Sequence, residues 1–348
     1  MKKSVLTIAI ISALIGWSCS KIETEKLTLK QSVEKSVADI NDAINIISAT
    51  KGYEILSANA SDLKSEEDFR DSITLDMVAG IYDFKPDLLH HRHFFIPYRL
   101  FERTGDSNLM VVNLPQKLVF HPGCLHTIHP PDSMLDNDFT ITATDYYFCY
   151  TWFNMFDYRL NAGFTLDSED LGSFDVLASG NKESGTSCSS EYTFTEGYSI
   201  GVNFESGDSS VSSFVLASED EILLKETHIT IRQGHHKRER LYILTLGNVE
   251  IRRGTGIDSI QVYLDGVLQK EAGAKIIDDT GSNGSFCHHR DILLTFDDGT
   301  TMNLSELLDP ARDILRTLYD SLHSMNLAKN IVDYIAICIH YHSQYKAG

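Results

Sequence analysis

Short runs of alternating apolar and polar residues, separated by turn residues, fill most of the chain between residues 73 and 304. Successive side chains of a β-strand point to opposite faces of a sheet, so this period of two predicts strands that bury one face. The dipeptides Asp265-Gly266 and Asp298-Gly299 tolerate the positive φ angles of tight hairpin turns. The pattern predicts an α+β protein that is mainly antiparallel β, as a sandwich or an open barrel. The clearest runs are Leu109–Leu114, Phe139–Thr144, Thr227–Arg232, Leu241–Leu246, Ser259–Leu264 and Ile292–Phe296.

Two segments of this β region, residues 158–174 and 198–214, resemble each other. The first begins Tyr158-x-Leu160-x-Ala162-x-Phe164, and the second begins Tyr198-x-Ile200-x-Val202-x-Phe204. Both then continue through a polar turn into a second apolar run, so each predicts one amphipathic hairpin. Two interpretations stay open, an internal duplication and a chance similarity between two hairpins.

Helical periods predict amphipathic helices at the N- and C-terminal ends of the chain. Thr28 and Gln31 have the spacing of a capping box, and apolar residues then recur every three or four positions. We predict a helix over residues 28–58, with Gly52 as its left-handed stop.

Residues 305–343 predict the C-terminal helical segment, beginning where Asp309 caps and Pro310 occupies the first helical position. Within it, residues 327–341 fit a helix, which we favour, but Ile335, Ile337 and Ile339 also alternate as in a strand.

The N-terminus carries two lysines followed by the apolar run Val5–Ile15, which is too short to span a bilayer but typical of a secretion signal over residues 1–18. The following Ile15-Gly16-Trp17-Ser18-Cys19 resembles the lipobox of bacterial lipoproteins, with the bulky Trp17 seen in relaxed Bacteroidota lipoboxes. The resemblance implies cleavage after Ser18, acylation of Cys19, for example by palmitate, and a tether over residues 19–27. The implied location is the cell envelope, at the outer membrane, since Ser20 rather than an Asp follows Cys19. A plain secreted protein cut near Ser18 is the alternative.

The formal net charge of −19 predicts which partners the chain avoids. An acidic surface repels nucleic acid and anionic membrane, so we expect no nucleic-acid partner and membrane contact only through the lipid on Cys19. Five further cysteines are present besides Cys19. They allow at most two disulfides, in a pairing that the sequence leaves open, and free buried thiols are an equal alternative.

Four potential metal ligands lie close together in one proline-rich stretch: His121, Cys124, His126 and His129. Imidazole and thiolate bind zinc well, but the paired spacing of structural zinc sites is missing. We therefore expect a surface loop and no cofactor, with zinc as the less favoured alternative.

Aromatic residues are densest between Tyr146 and Phe156. The favoured interpretation is a central strand buried on both sides. The alternative is that aromatic side chains on one face line a ligand site. The residues predicted to line that site are Trp152, Tyr158, Phe164, Tyr198 and Phe204.

Motifs of hydrolytic and nucleotide-binding enzymes, such as G-x-S-x-G, H-E-x-x-H and the P-loop, do not occur in the sequence. The sequence therefore predicts a non-enzymatic cell-envelope lipoprotein that binds an apolar or carbohydrate ligand. A structural or adhesive surface lipoprotein that contacts other proteins is the first alternative. A hydrolase whose site is assembled from distant residues is the second.

Overall fold

A computed structural model describes residues 26–57, 72–85, 101–117, 136–151, 155–181, 183, 185–219, 221–233, 237–255, 260–278, 290–323 and 332–347. The helices are α1 (Leu29–Ser48), α2 (Lys51–Ser57), α3 (Leu75–Val78), α4 (Leu304–His323) and α5 (Tyr334–Ala347). The strands are β1 (Ile73–Thr74), β2 (Gly80–Phe84), β3 (Phe101–Gly105), β4 (Met110–Leu114), β5 (Phe139–Thr151), β6 (Met155–Leu166), β7 (Glu169–Asn181), β8 (Gly185–Thr193), β9 (Tyr198–Ser206), β10 (Ser209–Ser218), β11 (Ile222–Gln233), β12 (Lys237–Leu246), β13 (Val249–Gly254), β14 (Gln261–Leu264), β15 (Val267–Leu268), β16 (Gly273–Asp278), β17 (Arg290–Thr295) and β18 (Thr301–Asn303).

The main sheet has 15 strands, and β4 to β15 follow one another in chain order as antiparallel neighbours. At the far edge, β2 lies between β4 and β3 and pairs with β4 in parallel, while β1 adds to β5. Strands β16, β17 and β18 form a second, small antiparallel sheet. The predicted α+β class, mainly antiparallel with helices at both ends, is confirmed.

Helices from both ends of the chain pack on one face of the main sheet, which we call the inner face. Helix α1 contacts β11 to β13, α2 contacts β7, and α4 contacts β8 and β9 as well as α1. The apolar stripe of α1 is fully buried there, with Val33, Ile40 and Ile47 without exposed surface. The period-two pattern of the strands thus buries the inner face, and the opposite, outer face meets solvent.

The start of the N-terminal helix follows the prediction, and its end does not. Thr28 accepts a hydrogen bond from the Gln31 amide at 3.3 Å and donates its own amide to Gln31 Oε1 at 2.9 Å, which confirms the capping box. However, α1 ends at Ser48, and Gly52 lies inside α2. Glycine is needed at position 52 for packing, because a Cβ there would lie 2.8 Å from the Leu171 carbonyl oxygen. The predicted stop at Gly52 was therefore wrong.

Residues 332–341 of the segment predicted over 327–341 are helical, as favoured: residues 332–333 form a π-helical turn before α5, and residues 327–331 lie outside the described residues. The predicted start at Asp309-Pro310 was wrong, since α4 begins at Leu304. Leu304 is buried, and Leu307 and Leu308 pack against the core, so tertiary contacts extend the helix ahead of the proline.

The two similar segments each form an antiparallel hairpin, β6 with β7 and β9 with β10. Because β6 and β9 are separated by two strands of the meander, they run in opposite directions. Tyr158 therefore lies in the same cross-strand row as Phe204, through Ala178 and Cys188. Whether the two hairpins arose by duplication remains an interpretation of their sequences.

The aromatic run between residues 146 and 156 is divided between β5 and the start of β6, so the prediction of one strand through it was wrong. Strand β5 also buries one face more than the other. Tyr146 is buried on the inner face, whereas Tyr147 is half-buried on the outer face beneath the Arg159 guanidinium, 5.3 Å from its ring centre.

Candidate functional site

Phe164, one of the predicted ligand-lining residues, belongs to the apolar core. Its ring stacks on Phe139 at 6.0 Å and on Tyr192 at 6.3 Å between ring centres, and it has no exposed surface. Tyr198, at the same end of the sheet beside Phe194, is half-buried against the core. At this end α1 and α2 cover the inner face.

Tyr158, at the other end of β6, is held by the C-terminal segment. Its hydroxyl donates to Asp333 Oδ1 at 2.9 Å, and the Tyr146 hydroxyl donates to the same oxygen at 3.1 Å. Burial, followed by the charge of Asp333, raises the pKa of both phenols well above the usual value. Both tyrosines therefore stay protonated and fix the residues before α5 against β5 and β6.

The row that contains Tyr158 continues across the inner face, where it is buried on β6 and β7 and partly exposed from β8 to β12. Its members, in order from β6 to β12, are Tyr158, Ala178, Cys188, Phe204, Ser212, His228 and Tyr242. Adjacent strands lie about 4.8 Å apart, so the row spans several strand spacings. Small side chains separate the rings in this row: Ala178 and Cys188 lie between Tyr158 and Phe204, and Ser212 lies between Phe204 and His228.

Glu226 lies two residues before His228 on β11, on the same face of the sheet. It forms hydrogen bonds with the last two members of this row. Its Oε1 lies 3.0 Å from His228 Nε2, and Tyr242 also hydrogen-bonds to Glu226. The imidazole and the Tyr242 ring are 4.9 Å apart between centres. The hydrogen bond with Glu226 raises the pKa of His228, and burial is the first cause of the raised pKa of Tyr242.

The C-terminal end of α4 brings two more rings to this region. Phe214, the cross-strand neighbour of Glu226, meets the Tyr319 ring edge-on at 5.9 Å, and His323 stacks on Tyr319 at 5.5 Å. Tyr319 is exposed, although Phe214 beneath it is buried. We call this partly exposed part of the inner face the open aromatic strip. It consists of Phe204, Ser212, Glu226, His228, Tyr242, Tyr319 and His323.

The strip combines two kinds of recognition chemistry. Flat rings stack on the faces of sugar rings or cover apolar groups. Glu226, His228 and Ser212 offer hydrogen bonds beside those rings, and half of the Glu226 and His228 side-chain surface remains in solvent, with exposures of 41% and 58%. Such a mixture of apolar surface and a few directed polar groups is typical of small-molecule sites.

Of the predicted site residues, the structure therefore brings Tyr158 and Phe204 into one row and places Phe164 in the core. Cys19, Trp152, His121, Cys124, His126 and His129 lie outside the described residues. Within the described part of the chain, no group of three or more metal-binding side chains occurs. Cys149, Cys188 and Cys338 are present as thiols.

Glu226, His228 and Tyr242 were not among the site residues predicted from the sequence, although runs in their strands, β11 and β12, were predicted. The sequence signal was the alternation of β11, which places Leu224, Glu226 and His228 on the same face of the strand. Polar residues at positions that should face the core indicate a part of that face that is not covered.

Comparisons with protein-family models, with curated proteins and with solved structures give no match for this chain. None of the described helices is both long enough and apolar enough to cross a membrane.

Proposed function

We propose that this chain is an exported cell-envelope lipoprotein that binds a carbohydrate ligand on the open aromatic strip and does not act as an enzyme. The observation that carries the proposal is the cross-strand row in which Phe204, His228 and Tyr242 remain partly exposed beside the Glu226 carboxylate. In this proposal, the lipid on Cys19 anchors the protein to the outer membrane, and the tether over residues 19–27 presents the body.

Glu226 favours one of the two ligand classes that the sequence left open. A purely apolar ligand lying on the strip would remove water from this carboxylate without replacing its hydrogen bonds, which costs several kcal/mol. A sugar presents hydroxyl groups to Glu226, His228 and Ser212 while its apolar face stacks on Tyr242 or Phe204. Carbohydrate therefore fits the strip better than a lipid does.

The test is a glycan array probed with the full-length protein, followed by titration calorimetry with the best glycan. A stacking contact contributes about 0.5–1.5 kcal/mol, so Tyr242→Ala and Phe204→Ala should each weaken binding about three- to tenfold. Tyr147→Ala is the matched control, because Tyr147 is a half-buried tyrosine on the outer face. If no glycan binds, or if Tyr147→Ala weakens binding as much as Tyr242→Ala, the proposed site is wrong. Displacement of a fluorescent fatty acid would instead favour an apolar ligand.

The anchor is tested separately by labelling cells with a palmitate analogue. We expect label on the wild-type protein, loss of label in Cys19→Ala, and release of that variant from the membrane fraction. Two or three acyl chains on one residue anchor stably, so the change should be nearly complete. Retention of Cys19→Ala in the membrane fraction would contradict lipid anchoring without affecting the ligand proposal.

A further inference from the structure

A groove of about 590 Å³ opens at the end of the sheet opposite the open aromatic strip. It lies between the junction of α1 with α2 and the turns that connect β6 with β7 and β8 with β9. Its apolar lining includes Ile46, whose side chain is 42% exposed, and Leu171, which is buried. Its polar lining includes the three carboxylates Glu169, Asp170 and Glu196 and one ammonium group, Lys51.

The hydrogen bonds of these groups leave the groove negatively charged. Lys51 Nζ lies 3.3 Å from Glu169 Oε2 and balances that carboxylate. Asp170 accepts from the Gly172 amide at 3.1 Å, and Glu196 accepts from the Thr195 hydroxyl at 3.0 Å, so both are bonded to neutral donors.

The two carboxylates that Lys51 does not balance, Asp170 and Glu196, also both act electrostatically on Tyr192, which lies behind the groove. The charges of Asp170 and Glu196 add to burial in raising the pKa of Tyr192. The Tyr192 hydroxyl donates to the Leu171 carbonyl at 2.9 Å, directly behind the apolar lining. Asp170 and Glu196 both line the groove together with Leu171, so their negative field adds up there.

We propose that this acidic groove docks a polypeptide segment of a partner protein that presents a lysine or arginine side chain next to an apolar residue. Charge complementarity supports this occupant, because the groove repels the anionic surfaces of lipid and nucleic acid. The exposed Ile46 offers a contact to the apolar residue of the segment. A simple amine has no apolar group to make this contact. Lys51 Nζ, 3.3 Å from Glu169 Oε2, is an ammonium group of the same kind within the groove. The proposal is independent of carbohydrate binding at the other end of the sheet.

The experiment measures fluorescence anisotropy of a labelled 12-residue peptide of alternating Lys and Leu with the full-length protein at low salt. The double variant Asp170→Asn/Glu196→Gln should bind about tenfold more weakly, because it removes the two carboxylates that Lys51 does not balance. Lys51→Gln should bind about threefold more tightly, because it releases Glu169 for the peptide. Raising the salt concentration should weaken wild-type binding.

The matched control is Glu205→Gln/Asp208→Asn, which makes the same change of charge at exposed positions by the β9–β10 turn, at the other end of the sheet. Unchanged affinity in this control, together with weak binding of a peptide in which Gln replaces Lys, would support the groove. Equal weakening in both double variants would show a non-specific effect of net charge and overturn the proposal. Wild-type affinity in Asp170→Asn/Glu196→Gln, or no gain in Lys51→Gln, would overturn it as well. Thermal melts of all the variants establish that the changes act on a folded protein.

Discussion

The two ends of the inner face are formed by the same strands with the same period of two, yet their aromatic residues differ in burial. At the end covered by α1 and α2, Phe164, Phe174 and Tyr192 are fully buried, and the Tyr192 ring contacts both phenylalanine rings. At the open end, Phe204 and Tyr242 are only partly buried and lie among polar side chains. The position of the helices, rather than the pattern of the strands, thus decides which aromatic rings become core and which remain available to a ligand.

The largest expected effect contrasts one ring from each end. Phe164→Ala should lower the free energy of unfolding by about 3–5 kcal/mol, because it leaves a cavity in a fully packed core. Phe204→Ala should lower it by about 1–2 kcal/mol, because the ring loses only part of its contact with water on folding. Guanidinium denaturation of both variants measures the difference. Equal losses would mean that Phe204 is core and that the strip is not open.

The next effect concerns Asp333, which binds Tyr146 and Tyr158 at the buried end of the cross-strand row. Asp333→Ala should lower the free energy of unfolding by about 2–4 kcal/mol, because two buried phenol donors lose their acceptor. Tyr146→Phe and Tyr158→Phe should each lower it by about 1 kcal/mol, since each removes one donor and leaves the carboxylate its other. Urea denaturation of the three variants tests this order. A loss below 1 kcal/mol in Asp333→Ala would show that these hydrogen bonds do not hold the C-terminal segment in place.

Most of the fold could be predicted from sequence, because strands and capped helices are local patterns. The capping box at Thr28 and the turn at Asp265-Gly266, where φ is 50° and 76°, were read from neighbouring residues alone. The role of Gly52 could not be, because it depends on Leu171, which the fold brings next to it.

The candidate site was predictable only in part, for two physical reasons. A bulge between Ala143 and Asp145 shifts the phase of β5, so that Tyr146 rather than Tyr147 faces inward. The alternation of a strand also shows which residues share a face but not which part of that face a helix covers. Phe164 and Phe204 occupy equivalent places in the two similar segments, but β6 and β9 run in opposite directions, so only Phe164 lies at the end that α1 and α2 cover.

A smaller effect tests how closely α2 approaches the covered end. Gly52→Ala should lower the free energy of unfolding by about 1–3 kcal/mol, because the added Cβ meets the Leu171 carbonyl oxygen and the Tyr192 hydroxyl. Gly163→Ala is the matched control, since a Cβ at that position has no atom within 4 Å. It should change stability by no more than about 0.5 kcal/mol. If the thermal denaturation midpoint of Gly52→Ala is lowered no more than that of Gly163→Ala, the close contact of α2 with the sheet is not rigid.

The smallest effect lies at the open end, where Glu226 raises the pKa of His228 through their hydrogen bond. Since the pKa is raised in the folded state, protonated His228 stabilises the fold fully below the unfolded value of about 6.5, and this contribution is lost as pH rises through the folded pKa. The side chain is 58% exposed, so solvent screening keeps the contribution small. An NMR titration of the imidazole should give a midpoint above 6.5, and Glu226→Gln should lower that midpoint. If Glu226→Gln leaves the midpoint unchanged, the carboxylate does not hydrogen-bond to the imidazole in solution, and the polar groups of the strip are not arranged as described.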